Sequence, residues 1–254
     1  MESSSLSLHD PDTQTPNDTK FRADLERHFE SASGTTSDKL EAFPRFVSRQ
    51  AMSLFLARAA IFNHVVPVHG AIVECGVFMG NGLFTWSQLS SIHEPMNHNR
   101  RIIGFDTFEG FPEIADEDEG SGIVHRTAGG YRFDGEQELR SCAELHDRNR
   151  PIGHIPKIEL VRGDATLTIP QYVLDNPHLV VAMLYLDFDL YEPTKIALEI
   201  LRPRMPRGSV LIFDELNQAQ WPGETQAVLE MIGLSNLAIR RFPFTPSLSY
   251  AVMD

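Results

Sequence analysis

Five short runs, apolar almost throughout, alternate along this chain with stretches patterned for helices, and that alternation limits the possible folds more than any other feature. The runs are 71–75, 101–105, 158–161, 180–186 and 209–213, with helical spacing between them over 83–92, 136–148, 166–174 and 193–201. Strands without a polar face must be covered on both sides, and strands separated by helices pair in parallel. The expected fold is therefore α/β: a Rossmann-like, mostly parallel sheet with helices on both faces. The tail adds a helix at 224–232 and two strand candidates, 238–241 and 248–253, which read as an antiparallel edge pair turning at 243–247. Residues 40–66 repeat apolar side chains at helical spacing, as one long helix or two short ones. Residues 1–37, rich in Ser, Thr, Asp and Pro, read as a mobile N-terminal arm, leaving 38–254 as one domain without internal repeats.

The bulk properties exclude several function classes. A net charge of −13 opposes sequence-independent nucleic-acid binding. No apolar run is long enough to cross a membrane, and the first twenty residues lack the basic start and apolar centre of a signal peptide, so a cytoplasmic location is expected. Two cysteines, Cys75 and Cys142, make no disulfide framework and read as free thiols. Six acids crowd 109–119, and the simplest reading of that run is a solvated loop rather than a metal or partner site.

The first strand runs into Glu74-Cys75-Gly76-Val77-Phe78-Met79-Gly80-Asn81-Gly82 and then a helix. Glycines at such a turn allow positive φ and close approach to a ligand, beside the unpaired N–H groups of a helix start. Asp106 ends the next strand, where a carboxylate can accept both hydroxyls of a ribose. Dinucleotide folds favour a close glycine pair at the front of the loop, whereas here it comes last, and Glu74 suits a cationic amino-acid end better than a pyrophosphate. S-adenosylmethionine is favoured over NAD. Asp164, after the third strand, is a candidate for the adenine amino group and equally a helix N-cap.

The fourth strand ends in Asp187-Phe188-Asp189 and the fifth in Asp214-Glu215. Acids delivered to one sheet edge repel unless a cation or proton lies between them. An all-oxygen donor set from Asp187, Asp214 and Glu215 points to Mg²⁺. Beside such an ion a hydroxyl becomes acidic enough to accept a methyl group, with Asp187 as the catalytic base and Asp189 as the alternative. Asp187-x-Asp189 also spells the metal-binding signature of nucleotide-sugar glycosyltransferases, but the glycine loop followed by Asp106 favours methyl transfer. A catalytically dead scaffold is expected to have lost one of these acids, and none is missing.

Together with Gly104-Phe105-Asp106-Thr107-Phe108-Glu109-Gly110-Phe111-Pro112 and Asp187 to Thr194, these segments resemble the macrocin O-methyltransferase (TylF-like) family from about residue 40 onward. The resemblance implies a class I methyltransferase fold and S-adenosylmethionine held by the glycine loop, Asp106, Thr107 and Phe108. It further implies Mg²⁺ at the acids, a homo-oligomer, and a deoxysugar acceptor in natural-product biosynthesis, such as TDP-rhamnose, with the finished glycosylated product as the alternative. Two positions depart from the family pattern: Glu215 stands where Asp is usual, and Phe188 where Gly is usual. A sugar nucleotide is anionic, so basic residues are expected near the site mouth, with Arg45, Arg49, Arg126 and Arg132 as candidates. The acidic, glycine-containing stretch 110–131 reads as a lid.

Overall fold

The structure is a computed structural model and describes residues 14–120 and 126–254. Seven strands form one sheet in the order β3-β2-β1-β4-β5-β7-β6. β1 (Ala71–Cys75), β2 (Ile102–Asp106), β3 (Ile158–Arg162), β4 (Val181–Leu186) and β5 (Val210–Phe213) run parallel. β7 (Ser249–Val252) lies antiparallel to β5, and β6 (Arg240–Arg241) pairs with it at the edge. The parallel pairing and the antiparallel tail follow the sequence expectation.

Side chains alternate along each strand, so the sheet carries two cores. Ile72, Met183, Tyr185 and Ile212 face α3 (Arg49–Val65) and α4 (Asn81–His93), where Phe62, Leu83 and Trp86 cover them. Val73, Cys75, Leu184 and Phe213 face the other way, onto α6 (Ala165–Asp175), α7 (Tyr191–Leu201) and α8 (Pro222–Met231). α5 (Glu136–Asp147) precedes β3 and contributes Leu139 to the first core. Both cysteines are free, with Cys75 buried.

The N-terminal segment differs from its composition-based reading in one respect. Residues Pro16–Ser31 form a helix, α1, started by a Thr15–Asp18 capping box, though none of its residues is buried. The 40–66 stretch is not one helix. α2 (Thr36–Glu41) ends before Pro44, a single helical turn spans Phe43–Arg45, and Ser48 caps α3 by accepting from the Ala51 N–H. No helix among the described residues is long and apolar enough to cross a membrane.

Candidate active site

β1 and β4 are neighbours, but the chain leaves them toward opposite edges of the sheet. A crevice opens at the carboxyl ends of such a pair, which is where open α/β sheets bind ligands. The glycine loop follows β1, Asp187 and Asp189 follow β4, and Asp214 and Glu215 follow β5. Left-handed backbone at a non-glycine residue costs of order 1–3 kcal/mol. It occurs at Phe78, Phe108, Asp189 and Asn217, in the turns after β1, β2, β4 and β5, at Tyr131, and at Ile152 before β3. Strain is thus concentrated on this edge.

The three loop glycines have three different structural roles. A Cβ on Gly76 would stand 1.9 Å from the Asp187 carbonyl oxygen, so this glycine lets the exit of β4 cross the exit of β1. Gly80 caps α4 with φ +82°. A Cβ on Gly82 would lie 2.6 Å from both carboxylate oxygens of Glu74. Glu74 itself is fully buried beneath the loop, and its Oε1 accepts from the Leu83 N–H at 2.9 Å. Burial pushes its carboxyl up to about 8, against the opposing pull of Arg58. The structure thus places Glu74 beneath the loop, where it supports the start of α4.

Asp106 fastens the same loop from the other side. Its Oδ2 accepts from the Val77 and Phe78 N–H groups, each at 2.8 Å, and its Oδ1 accepts from the Phe108 N–H at 2.7 Å. A carboxylate has about four acceptor positions, so a ribose hydroxyl still has room. Thr107 donates to the Gly110 carbonyl at 2.7 Å and Phe108 is buried, so both shape the turn after β2. Asp164 caps α6, with its Oδ1 accepting from the Thr166 N–H at 2.9 Å.

The acids lie close together. Asp187, Asp214 and Glu215 can each offer an oxygen within 4.8 Å of the others. Burial first and Asp214 second push the Asp187 and Glu215 carboxyls well above the carboxylate range, and the same causes raise Asp189 to about 7. The Glu215 Oε2 is buried without a hydrogen-bond partner. A close set of oxygen donors with one orphaned atom fits a hard divalent cation. Phe188, where the family pattern has Gly, packs into the core on the α6–α7 side.

Four site-supporting residues escaped the sequence reading. Glu224, at the start of α8, accepts from the Asp214 and Glu215 N–H groups at 3.3 and 3.2 Å and so holds the turn that presents them. Asp118, from the acidic run, is buried rather than solvated, and its Oδ1 accepts from the Tyr191 N–H at the start of α7 at 2.7 Å. Arg58 donates to the Tyr185 hydroxyl at 3.2 Å, and Tyr185 donates to Asp214 Oδ1 at 2.7 Å.

The four candidate arginines are not brought together. Arg126 donates to the carbonyls of Asp118 and Gly120 at 2.6 and 2.7 Å and lies over the Trp221 ring, so it fastens the described part of the 110–131 stretch. Residues 121–125 of that stretch lie outside the described residues. Arg132 pairs loosely with Asp134 at 3.8 Å. Arg45 lies over Phe46, and Arg49 is exposed at the start of α3.

A sequence model of the Macrocin-O-methyltransferase (TylF) family matches residues 46–231, which include the glycine loop, Asp106 and all the clustered acids. The chain belongs to this family. It is an S-adenosylmethionine-dependent O-methyltransferase, and the glycosyltransferase reading of Asp187-x-Asp189 is set aside. The methyltransferase is similar over its length to CalS11, the calicheamicin methyltransferase. The crystal structure of that enzyme superposes with a TM-score of 0.90 at 35% identity, covering 94% of this chain and 93% of the other. An apo structure of CalS11, named there as a TDP-rhamnose 3'-O-methyltransferase, gives 0.82 at 34% identity over 94% and 95%. In sequence, 161 residues are 30% identical to the 8-demethyl-8-(2,3-dimethoxy-alpha-L-rhamnosyl)-tetracenomycin-C 4'-O-methyltransferase of Streptomyces olivaceus. That match covers 58% of this chain and 53% of the relative, so it spans about half the relative's length.

Proposed function

We propose that this methyltransferase moves the S-adenosylmethionine methyl group onto a hydroxyl of a deoxysugar carried by a nucleoside diphosphate, such as TDP-rhamnose, during assembly of a natural product. The observation that carries this reading is near-complete coverage of CalS11, which is named for that acceptor, combined with an acid cluster beside the glycine loop. A second reading has its own support: the tetracenomycin relative is named for a rhamnose already attached to its product.

In the reaction the sulfonium carbon–sulfur bond breaks as the sugar oxygen–carbon bond forms, and the hydroxyl proton must leave. Asp187 accepts that proton, at the exit of the strand beside β1. Asp187, Asp214 and Glu215 would hold Mg²⁺. When bound, that ion supplies positive charge that lowers the pKa of a neighbouring hydroxyl.

The acceptor is decided by offering TDP-rhamnose, free rhamnose and a rhamnosylated natural product side by side with labelled S-adenosylmethionine. Methylation of TDP-rhamnose is expected. Methylation confined to the finished product overturns the sugar-nucleotide assignment and leaves methyl transfer standing.

The metal reading has a pH signature. In the unfolded chain an aspartate ionises near pH 4, whereas in the cation-free fold Asp189 holds its proton to about 7 and Asp187 and Glu215 are shifted the same way. The folded state therefore binds more protons across that window, so these groups make stability fall as pH rises from about 4 to about 7. A cation competes with those protons. In chelator, the melting temperature is expected to be lower at pH 8 than at pH 5.5, and added Mg²⁺ should raise it more at pH 8. An equal or absent response to Mg²⁺ at both values removes the ion from this cluster.

A further inference from the structure

Arg58 belongs to no recognised motif, yet it lies in the middle of α3, 4% exposed, directly behind the acid cluster. Strand alternation explains why it meets the site. Tyr185 shares a sheet face with Met183 and Ile212, and α3 covers that face. Tyr185 pairs in register with Ile212, two residues before Asp214, so the Tyr185 hydroxyl reaches the first acid after β5.

The two hydrogen bonds have a fixed direction. A guanidinium only donates, so in the Arg58 Nη2 to Tyr185 contact at 3.2 Å the phenol oxygen is the acceptor. The single phenol proton is then left for Asp214 Oδ1, at 2.7 Å. Trp86 holds the Tyr185 ring edge-on at 6.0 Å, and the Arg58 guanidinium lies 5.6 Å from the ring centre, so the phenol has little freedom to swing.

Arg58 is an expensive way to fill a core. Its Nε is buried without a partner, and the Oε2 of Glu74 is likewise unmatched. Replacing a whole buried ion pair by apolar side chains is commonly neutral or stabilising, whereas removing one partner leaves the other charge uncompensated. Its charge opposes that of the buried Glu74, and its hydrogen bond in addition fixes the direction of the Tyr185 proton.

We propose that Arg58, acting through the Tyr185 hydroxyl, is a positioning residue for methyl transfer: it commits Asp214 Oδ1 to the Tyr185 proton and leaves Oδ2 for the acceptor side of the cluster. The proposal rests on the reading that Asp214 helps activate the acceptor hydroxyl. Tyr185 and Arg58 are both buried, so their effect passes through Asp214.

The test is a double-mutant cycle on the full-length enzyme, scored by kcat, by affinity for S-adenosylhomocysteine and by melting temperature. Tyr185→Phe is expected to lower kcat roughly tenfold, the scale of one hydrogen bond to a charged group, with product affinity unchanged. Arg58→Met is expected to lower kcat by a similar factor alone and by less than about twofold in the Tyr185→Phe background. Arg58→Lys, which keeps the charge and a donor, serves if the Met variant does not fold, and is expected to recover part of the loss. Multiplying effects of the two substitutions, or equal losses in kcat, product affinity and melting temperature, overturn the positioning role. Asp214→Asn separates the premises. If it leaves turnover intact, the acceptor-activating reading of the acids fails. If it abolishes turnover while Tyr185→Phe does not lower it, that reading stands and the Arg58–Tyr185 proposal fails.

Discussion

Asp187→Asn is expected to lower methyl transfer by roughly 10³-fold, within the range that a positioned general base contributes, while S-adenosylhomocysteine still binds. The substitution keeps size and shape while removing the proton-accepting oxygen and one negative charge of the cluster. The Asp187 N–H donates to the Cys75 carbonyl at 2.8 Å, so the backbone at this point is fixed by β1 and does not depend on the side chain. Asp187 also lies among like charges, with burial and then Asp214 and Asp189 disfavouring its ionised form. Removing one negative charge from that set should leave the cation-free protein as stable as the parent or more so, a loss of function with a gain in stability that marks a functional site. Initial rates with saturating donor, alongside melting curves in chelator, measure both effects. If Asp189→Asn shows the large loss and Asp187→Asn stays within tenfold of the parent, the base is Asp189.

What the sequence made legible follows from the physics of each signal. β1, β4 and β5 were visible because fully buried parallel strands tolerate almost no polar residue, and the acids ending β4 and β5 stand out against that background. Glu74 reads from the motif as part of the binding loop, and in the structure it is buried beneath that loop. Its neighbours Val73 and Cys75 face the α6–α7 core, so period-two alternation turns Glu74 toward α3 and α4, a signal that was present in the sequence and outweighed by the motif. Asp118 was hidden inside a run of acids whose composition describes a solvated loop, and only the tertiary contact with the Tyr191 N–H distinguishes it. Glu224 and Arg58 sit on helices where Glu and Arg are ordinary surface residues, so their burial appears only once α8 and α3 are packed on the sheet. Charge alone does not specify direction: Arg126 turns its guanidinium onto the carbonyls of Asp118 and Gly120.

Gly76→Ala is expected to be the most destabilising single-methyl change in the site, at roughly 4 kcal/mol or more, the range reached when strain and core overlap act together. Two terms combine. Gly76 has φ +97°, where an L side chain is strained by about 1–2 kcal/mol. The added Cβ would also stand 1.9 Å from the Asp187 carbonyl oxygen and 2.7 Å from its carbon, both backbone atoms that cannot rotate away. Relief by strand movement is blocked on both sides, because the Gly76 N–H donates to the Phe105 carbonyl at 2.9 Å while Asp187 is tied to Cys75. Gly129→Ala provides the control: its φ is +78°, but nothing lies within 4 Å of the added carbon, so it carries the strain term alone. The difference in melting temperature between the two variants therefore isolates the overlap, and at about 2–4 °C per kcal/mol for a chain of this size it should reach several degrees. Any folded Gly76→Ala protein must have displaced the Asp187 backbone, so its turnover should fall further than its folded fraction. A Gly76→Ala variant as stable and active as Gly129→Ala would mean that β1 and β4 do not cross as closely as the 1.9 Å approach requires, and with them would go the placement of Asp187 beside the glycine loop.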